Sequence, residues 1–220
     1  MKPARRREAP YIWVTWLRSL LSGDSSCEWS TWFRAHHYAG SWNKAQSDFD
    51  FNAWKQKHTA YMRGVCEEWK AGGYDLSIER QNNFKLKGKS AVLAGQPDIV
   101  ARKGRHGVII DIKTGKPKSS DEFQVKIYMW AAKRCKPLGR GIDNYDGRIE
   151  YADGTFRDIP ADSIDDLFHD EIVGLIKRIA SETPADKVPS AGECAWCDIT
   201  SENCPERIDQ EDDMSITEDF

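Results

Sequence analysis

Gly95-Gln96-Pro97-Asp98-Ile99-Val100 and, a short gap later, Val108-Ile109-Ile110-Asp111-Ile112-Lys113 are the segments from which the fold of this 220-residue chain is read. Both carry β-branched apolar runs. The loop between them, Lys103-Gly104-Arg105-His106-Gly107, is short and glycine-rich enough to turn one strand back on the other. Side chains alternate along a strand, so Asp111 and Lys113 point one way while Ile110 and Ile112 point the other. An acid and a lysine therefore sit side by side above an apolar underside. Asp98, flanking the other run, can meet Asp111 across the pair.

Two carboxylates in this relation can hold Mg²⁺ or Mn²⁺ in an oxygen shell completed by water and a backbone carbonyl, for which that of Ile112 is best placed. Such an ion acidifies water and neutralises phosphate charge, while Lys113 can orient an attacking water or stabilise developing negative charge. The plainer alternative makes Asp98 a turn cap and Asp111 with Lys113 a solvated strand pair. The residues that follow weigh against it. Thr114-Gly115-Lys116-Pro117-Lys118 reads as a loop, and Ser119-Ser120-Asp121-Glu122 has the serine-to-glutamate spacing of a capping box, predicting a helix from about Ser120 to Arg134. Gln124 and Tyr128 lie four apart on it and share a face.

In this order, G-x-P-D-x-V, D-x-K-T-G and Q-x-x-x-Y resemble the RecB-type branch of the PD-(D/E)XK nucleases. The resemblance implies an α/β, restriction-endonuclease-like core with a mixed central sheet, a helical N-terminal flank and a C-terminal cysteine region. It implies Asp98 and Asp111 as the acidic pair, Lys113 as the catalytic lysine, and Gln124 and Tyr128 as the helix motif. The family's metal-ligating histidine on a preceding helix is best matched by His58 in Trp54-Lys55-Gln56-Lys57-His58-Thr59, although Gly64 follows rather than precedes it. His36 and His37 are weaker matches, and His106 and His169 read as a turn residue and a helix-surface residue.

The cysteines extend the resemblance. Cys194-Ala195-Trp196-Cys197 followed by Cys204 gives C-x₂-C-x₆-C, and Cys27 lies upstream in Ser26-Cys27-Glu28-Trp29. Four thiolates are soft ligands that suit an iron–sulfur cluster or Zn²⁺, and spacing alone does not choose between the two. Similarity to the branch's iron–sulfur subgroup implies a four-iron, four-sulfur cluster on Cys27, Cys194, Cys197 and Cys204. A disulfide or unligated group is disfavoured by the absence of a secretory signal. Cys66 and Cys135 read as small buried hydrophobes in helices.

The chain resembles stand-alone CRISPR-associated RecB-like exonucleases and phage-borne relatives. That implies metal-dependent cleavage of single-stranded DNA, usually from an end, in spacer acquisition or recombination, with CRISPR-adaptation or recombination proteins as partners. Exonuclease or endonuclease action, polarity, and DNA or RNA are left open by the sequence. So is a non-catalytic nucleic-acid-binding protein with a structural zinc or iron–sulfur site. No G-x-x-x-x-G-K-[ST] loop is present, so no motor is expected in this stretch.

Composition sets broader bounds. Hydrophobic residues make up 40% of the chain and there are nine Trp, enough for one well-cored domain. With no long apolar run, the chain is expected to be soluble and cytoplasmic. The net charge of −3 conceals two unlike ends: Met1 to Glu8 has four bases and one acid, and Glu206 to Phe220 has seven acids and one Arg. Lys85, Lys87 and Lys89, then Arg102, Lys103 and Arg105, then Lys116 and Lys118 flank the candidate site and suit a phosphate backbone, though a solvated surface accounts for them nearly as well.

We expect a single domain over 1–207, divided into a helical flank (1–72), a catalytic core (73–160) and a cysteine-bearing segment (161–207), followed by a disordered acidic tail (208–220). Helices are predicted over Val14–Leu21, Cys27–Tyr38, Asp48–Ala71 and Ser163–Ser181. Strands are predicted over Tyr74–Glu79, an interrupted Lys89–Arg102 and Val108–Lys113, with a hairpin from Arg148–Ala152 and Thr155–Ile159 about Asp153-Gly154.

Overall fold

The alternating run around Asp111 forms an eight-residue strand, and the elements before and after it cover its two faces. In the computed structural model, which describes residues 4–47, 49–135, 138 and 141–209, the chain begins with β1 (Tyr11–Trp13), α1 (Val14–Leu21), α2 (Glu28–His36) and α3 (Phe51–Ala71). Strands β2 (Asp75–Ile78), β3 (Phe84–Lys87), β4 (Val92–Gly95), β5 (Ile99–Lys103) and β6 (His106–Lys113) follow. Then come α4 (Ser119–Ala132), β7 (Asn144–Tyr151), β8 (Phe156–Ile159), α5 (Asp166–Ile179) and α6 (Ala191–Ala195).

The central sheet has the order β2-β5-β6-β7-β8. It is mixed for a topological reason. Strands β5 and β6 are joined by a tight turn and must run antiparallel, whereas β6 and β7 run parallel because α4 provides the crossover that a parallel pair needs. The β5–β6 turn is tighter than the sequence suggests: only Gly104 and Arg105 lie outside the ladder, and Gly104 adopts φ +61°, the left-handed region glycine tolerates. His106, expected in the turn, is the first residue of β6 and pairs with Lys103.

Strand alternation divides the core. Ile99, Ala101, Val108, Ile110 and Ile112 pack with Met62, Val65 and Cys66 of α3 on one face. Val100 and Ile109 face the opposite layer, where Val125, Tyr128 and Met129 of α4 join Phe168 and Ile172 of α5. Glycine permits the close approach of α4 to the sheet. A Cβ on Gly147 would meet Val125 Cγ1 at 2.5 Å and Met129 Sδ at 2.7 Å.

Several expectations change. The flank expected to be helical also contains β1, which pairs with β4 and so joins the small sheet β1-β4-β3. Phe84-Lys85-Leu86-Lys87 is a strand of that sheet, with Phe84 buried and Lys85 exposed. Helix α4 starts one residue earlier than the capping box predicts. Its cap is Lys118, whose N–H donates to Asp121 Oδ2 at 3.0 Å, so Asp121 and not Glu122 reaches back. Cys66 is buried in α3 as expected, whereas Cys135 is buried just beyond α4. The β7–β8 hairpin forms about Asp153-Gly154. Of the acidic tail, the part from Gln210 onward lies outside the described residues. No helix among the described residues is long and apolar enough to cross a membrane.

Candidate active site

The ladder between β5 and β6 pairs Ile99 with Ile110, and extending it by one residue sets Asp98 opposite Asp111. Asp111 projects to the α4 side of the sheet, and Asp98, just before β5, presents its carboxylate at the adjoining strand end. Asp98 Oδ2 accepts the N–H of Ile112 at 2.8 Å. A strand residue directs its N–H and C=O to the same edge, so the Ile112 carbonyl also faces the Asp98 side, while the Lys113 carbonyl accepts from Ala152 N beside β7.

Lys113 and Asp111 share a face, as alternation requires. Nζ of Lys113 is 2.6 Å from Asp111 Oδ2, so the buried carboxylate is paired with the lysine charge. Gln124 joins the two: its Nε2 donates to Asp111 Oδ1 at 2.9 Å and its Oε1 accepts from Lys113 Nζ at 2.9 Å. One turn on, Tyr128 Oη accepts from Gln124 Nε2 and donates to the Gln96 carbonyl, each at 3.3 Å. The Q-x-x-x-Y pair thereby ties α4 to both acidic segments. Gly95 completes the packing, since a Cβ there would lie 2.8 Å from the rings of Phe84 and Tyr128.

His58 is buried on α3, with Nε2 3.3 Å from Asp98 Oδ2. Burial opposes protonation of this imidazole. The hydrogen bond and charge of Asp98, with Asp111 and Glu79 behind it, outweigh that and raise its pKa. Other histidines are engaged elsewhere: His36 Nε2 lies 3.1 Å from the Ile179 carbonyl, His37 Nδ1 2.8 Å from the Phe33 carbonyl, and His169, only half-buried, accepts from Trp130 Nε1 at 2.9 Å.

Three participants escaped the sequence reading. Arg18 of α1 donates to Asp121 Oδ1 at 3.0 Å, and Lys113 Nζ lies 3.8 Å from the same oxygen, so the lysine sits between two buried acids. A separation of 103 residues joins Arg18 to Asp121, and nothing local signals such a pair. Glu79 donates its N–H to the Asp98 carbonyl at 2.8 Å from a left-handed backbone, φ +45°, an unfavourable state for a residue with a Cβ.

Burial pushes the Asp111 carboxyl above the usual range; Lys113 pulls it down, and Asp98 pushes it up again. Tyr128 is likewise raised, by burial and then by the two acids. Two neighbouring carboxylates are hard oxygen donors that suit Mg²⁺ or Mn²⁺, which keep several waters. His58 faces Asp98 rather than a point shared with Asp111. Among the described residues no three His, Cys, Asp or Glu side chains converge on one metal position.

All four cysteines line a second region, a cavity of about 820 Å³ between α2 and the segment around α6. Arg34 Nη2 approaches Cys197 Sγ at 3.8 Å, and Ile208 N–H donates to Cys194 Sγ at 3.4 Å. Burial pushes the Cys197 and Cys204 thiols above their usual range. Among the described residues, no three of these thiols converge on one metal position.

No curated protein sequence matches the chain. A crystal structure of a protein named SSO0001 superposes with a TM-score of 0.47 at 19% identity, over 93% of this chain and 90% of that one. A family model described as the PD-(D/E)XK nuclease superfamily matches residues 12–204, which include both acids, the lysine, the Gln-Tyr pair and all four clustered cysteines. PD-(D/E)XK nucleases generally use Mg²⁺ or Mn²⁺, and by this match the chain belongs to the PD-(D/E)XK nuclease superfamily.

Proposed function

We infer that the chain is a Mg²⁺- or Mn²⁺-dependent deoxyribonuclease of the RecB-like branch, acting on single-stranded DNA from an end. The observation that carries this reading is the opposition of Asp98 and Asp111, with Lys113 fixed by Asp111 and Gln124 on the same face. Asp98, Asp111 and the Ile112 carbonyl would hold the divalent cation, with His58 able to join them if its ring turns from Asp98. When bound, the cation supplies charge neutralisation at the scissile phosphate and acidifies water. Lys113 offers Nζ to the attacking water or to a phosphate oxygen gaining charge. Gln124 restricts that amine to one position, and Tyr128 restricts Gln124. Spacer acquisition, recombination or phage DNA processing would each use such an activity, alongside proteins of those pathways.

The likeness of the C-x₂-C-x₆-C segment and upstream Cys27 to the branch's iron–sulfur subgroup supports a separate, structural role for Cys27, Cys194, Cys197 and Cys204 as ligands of a four-iron, four-sulfur cluster. Purified protein with Mn²⁺ on end-labelled and circular single strands tests the nuclease reading. We expect progressive shortening of the linear strand and an intact circle. Cleavage of the circle replaces exonuclease by endonuclease action, and no cleavage of either removes the assignment.

A further inference from the structure

Helix α3 projects two turns beyond the body of the protein. Every residue from Phe51 to Lys57 is exposed, and His58 is the first buried residue of the helix. Three aromatic rings nevertheless crowd this projection: Phe49, Phe51 and Trp54 are 61%, 56% and 37% exposed. Large apolar side chains gathered in water are a cost to a protein unless something covers them. Asp50 secures the projection by accepting the Ala53 N–H at 2.9 Å, so the rings are held on a capped helix.

The rings form a continuous path to the candidate active site. Phe49 and Phe51 lie 6.1 and 5.5 Å from Trp54, and Trp54 lies 5.0 Å from His58, which meets Asp98. Their planes are tilted by 51° and 36° rather than stacked, which leaves ring faces available to another planar group. Positive charge accompanies them. Lys55 and Lys57 are exposed in the same two turns, and Lys57 Nζ reaches the Thr114 carbonyl at 3.4 Å, in the loop that follows Lys113. Along the helix flank, Asn52, Lys55, Gln56 and Arg63 line a shallow groove.

We propose that Phe49, Phe51 and Trp54 form a stacking platform for unpaired nucleobases of the strand being cut, with the neighbouring lysines following its phosphates. The proposal rests on the nuclease reading of the adjoining site and names the feature that selects its substrate. The lysines beside the rings favour a polynucleotide over a protein, because lysine is depleted at the cores of protein interfaces. Bases in a duplex already stack on one another, so only an unpaired strand can use the platform.

The test measures binding of a short fluorescent oligothymidylate, and of an abasic strand of equal length, to the full chain in EDTA so that cleavage does not intrude. Replacing Phe49 and Phe51 together by Ala should weaken oligothymidylate binding roughly five- to a hundredfold, the span associated with loss of base stacking, and leave the abasic strand unaffected. Phe51→Tyr should bind as wild type does and Phe51→Leu should not, because leucine keeps apolar area without a ring face. Circular dichroism establishes that each variant is folded. An equal loss on both strands, no loss on either, or a change only in sedimentation, as expected if two copies of the chain meet through these rings, would overturn the platform. Cleavage with Mn²⁺ is scored separately: base-dependent binding without cleavage sinks the nuclease reading alone, and cleavage with base-independent binding sinks the platform alone.

Discussion

Gln124 Oε1 receives Lys113 Nζ at 2.9 Å, so the amine that would serve the reaction is aimed by a helix rather than by its own flexible stem. This sets an order among substitutions. Lys113→Ala and Asp111→Ala should each cost about 3 kcal/mol of transition-state stabilisation, about a hundredfold in rate, with the fold retained. Gln124→Ala should cost less, because Asp111 still lies 2.6 Å from the amine, and Tyr128→Phe less again. Single-turnover rates rank the four. Full activity in Gln124→Ala would return that residue to ordinary packing.

Gly95 faces rings of both the small sheet and α4, and there is no room for a methyl group between them. Gly95→Ala should destabilise the protein by about 1–3 kcal/mol, as overpacking does. The displaced Tyr128 ring should also loosen Gln124, so the cleavage rate falls with the thermal midpoint. A variant with a lowered midpoint and an unchanged rate would separate Tyr128 from the positioning of Gln124.

Asp121 is almost fully buried between Arg18 and Lys113. Removing the guanidinium by Arg18→Ala should cost about 1 to 3 kcal/mol, less than the roughly 3–5 of a fully buried pair, because Arg18 is a quarter exposed. Arg18→Lys should recover part of that stability. Chemical denaturation measures both, and a stability unchanged by Arg18→Ala would show that Lys113 alone satisfies the acid.

These relationships differ in how far the sequence reveals them. The β5–β6 hairpin and the crossover helix are local patterns, two-residue alternation and helical spacing, so the meeting of Asp98 and Asp111 across the pair is legible. The register that sets them opposite depends on the two-residue turn at Gly104-Arg105, which the sequence suggests to be longer. Phe84-Lys85-Leu86-Lys87 also alternates, but a four-residue strand is stabilised by its partner β4, and its lysines read more readily as surface charge. The starting point of α4 turns on which of two adjacent acids, Asp121 or Glu122, reaches back to the cap. Arg18, Glu79 and the aromatic projection depend on tertiary packing. Trp54-Lys55-Gln56-Lys57-His58 is helical by pattern, yet nothing in the pattern leaves its first two turns uncovered.

The cysteine segment is also held to the domain by charge. Asp198 receives Arg34 Nε at 2.8 Å and lies 2.9 Å from Lys44 Nζ. Burial raises its pKa, but the two cations prevail and hold it below the ordinary 3.8. A depressed carboxylate contributes stability above its unfolded-state pKa and loses it as pH falls through the folded value. The loss therefore lies on the acid side of 3.8. Thermal midpoints should fall more steeply there for wild type than for Asp198→Asn, and matching profiles would remove Asp198 as a contributor.

Cys27 and Cys194 are separated by nearly the whole nuclease core, yet both line one cavity. Ligands bridging them would close a long loop and restrict the unfolded chain, so cluster assembly should be coupled to folding. Anaerobically purified protein should be brown, absorb near roughly 400 nm and carry about four irons per chain. Replacing any one of Cys27, Cys194, Cys197 or Cys204 by Ser should lower iron content and thermal midpoint together. Cys66→Ser and Cys135→Ser, outside the cavity, should keep the iron. Stoichiometric zinc without iron, in cells supplied with iron, would assign the four thiolates to zinc. That outcome would leave Asp98, Asp111 and Lys113 untouched, because the acids and the thiols occupy separate regions of the fold.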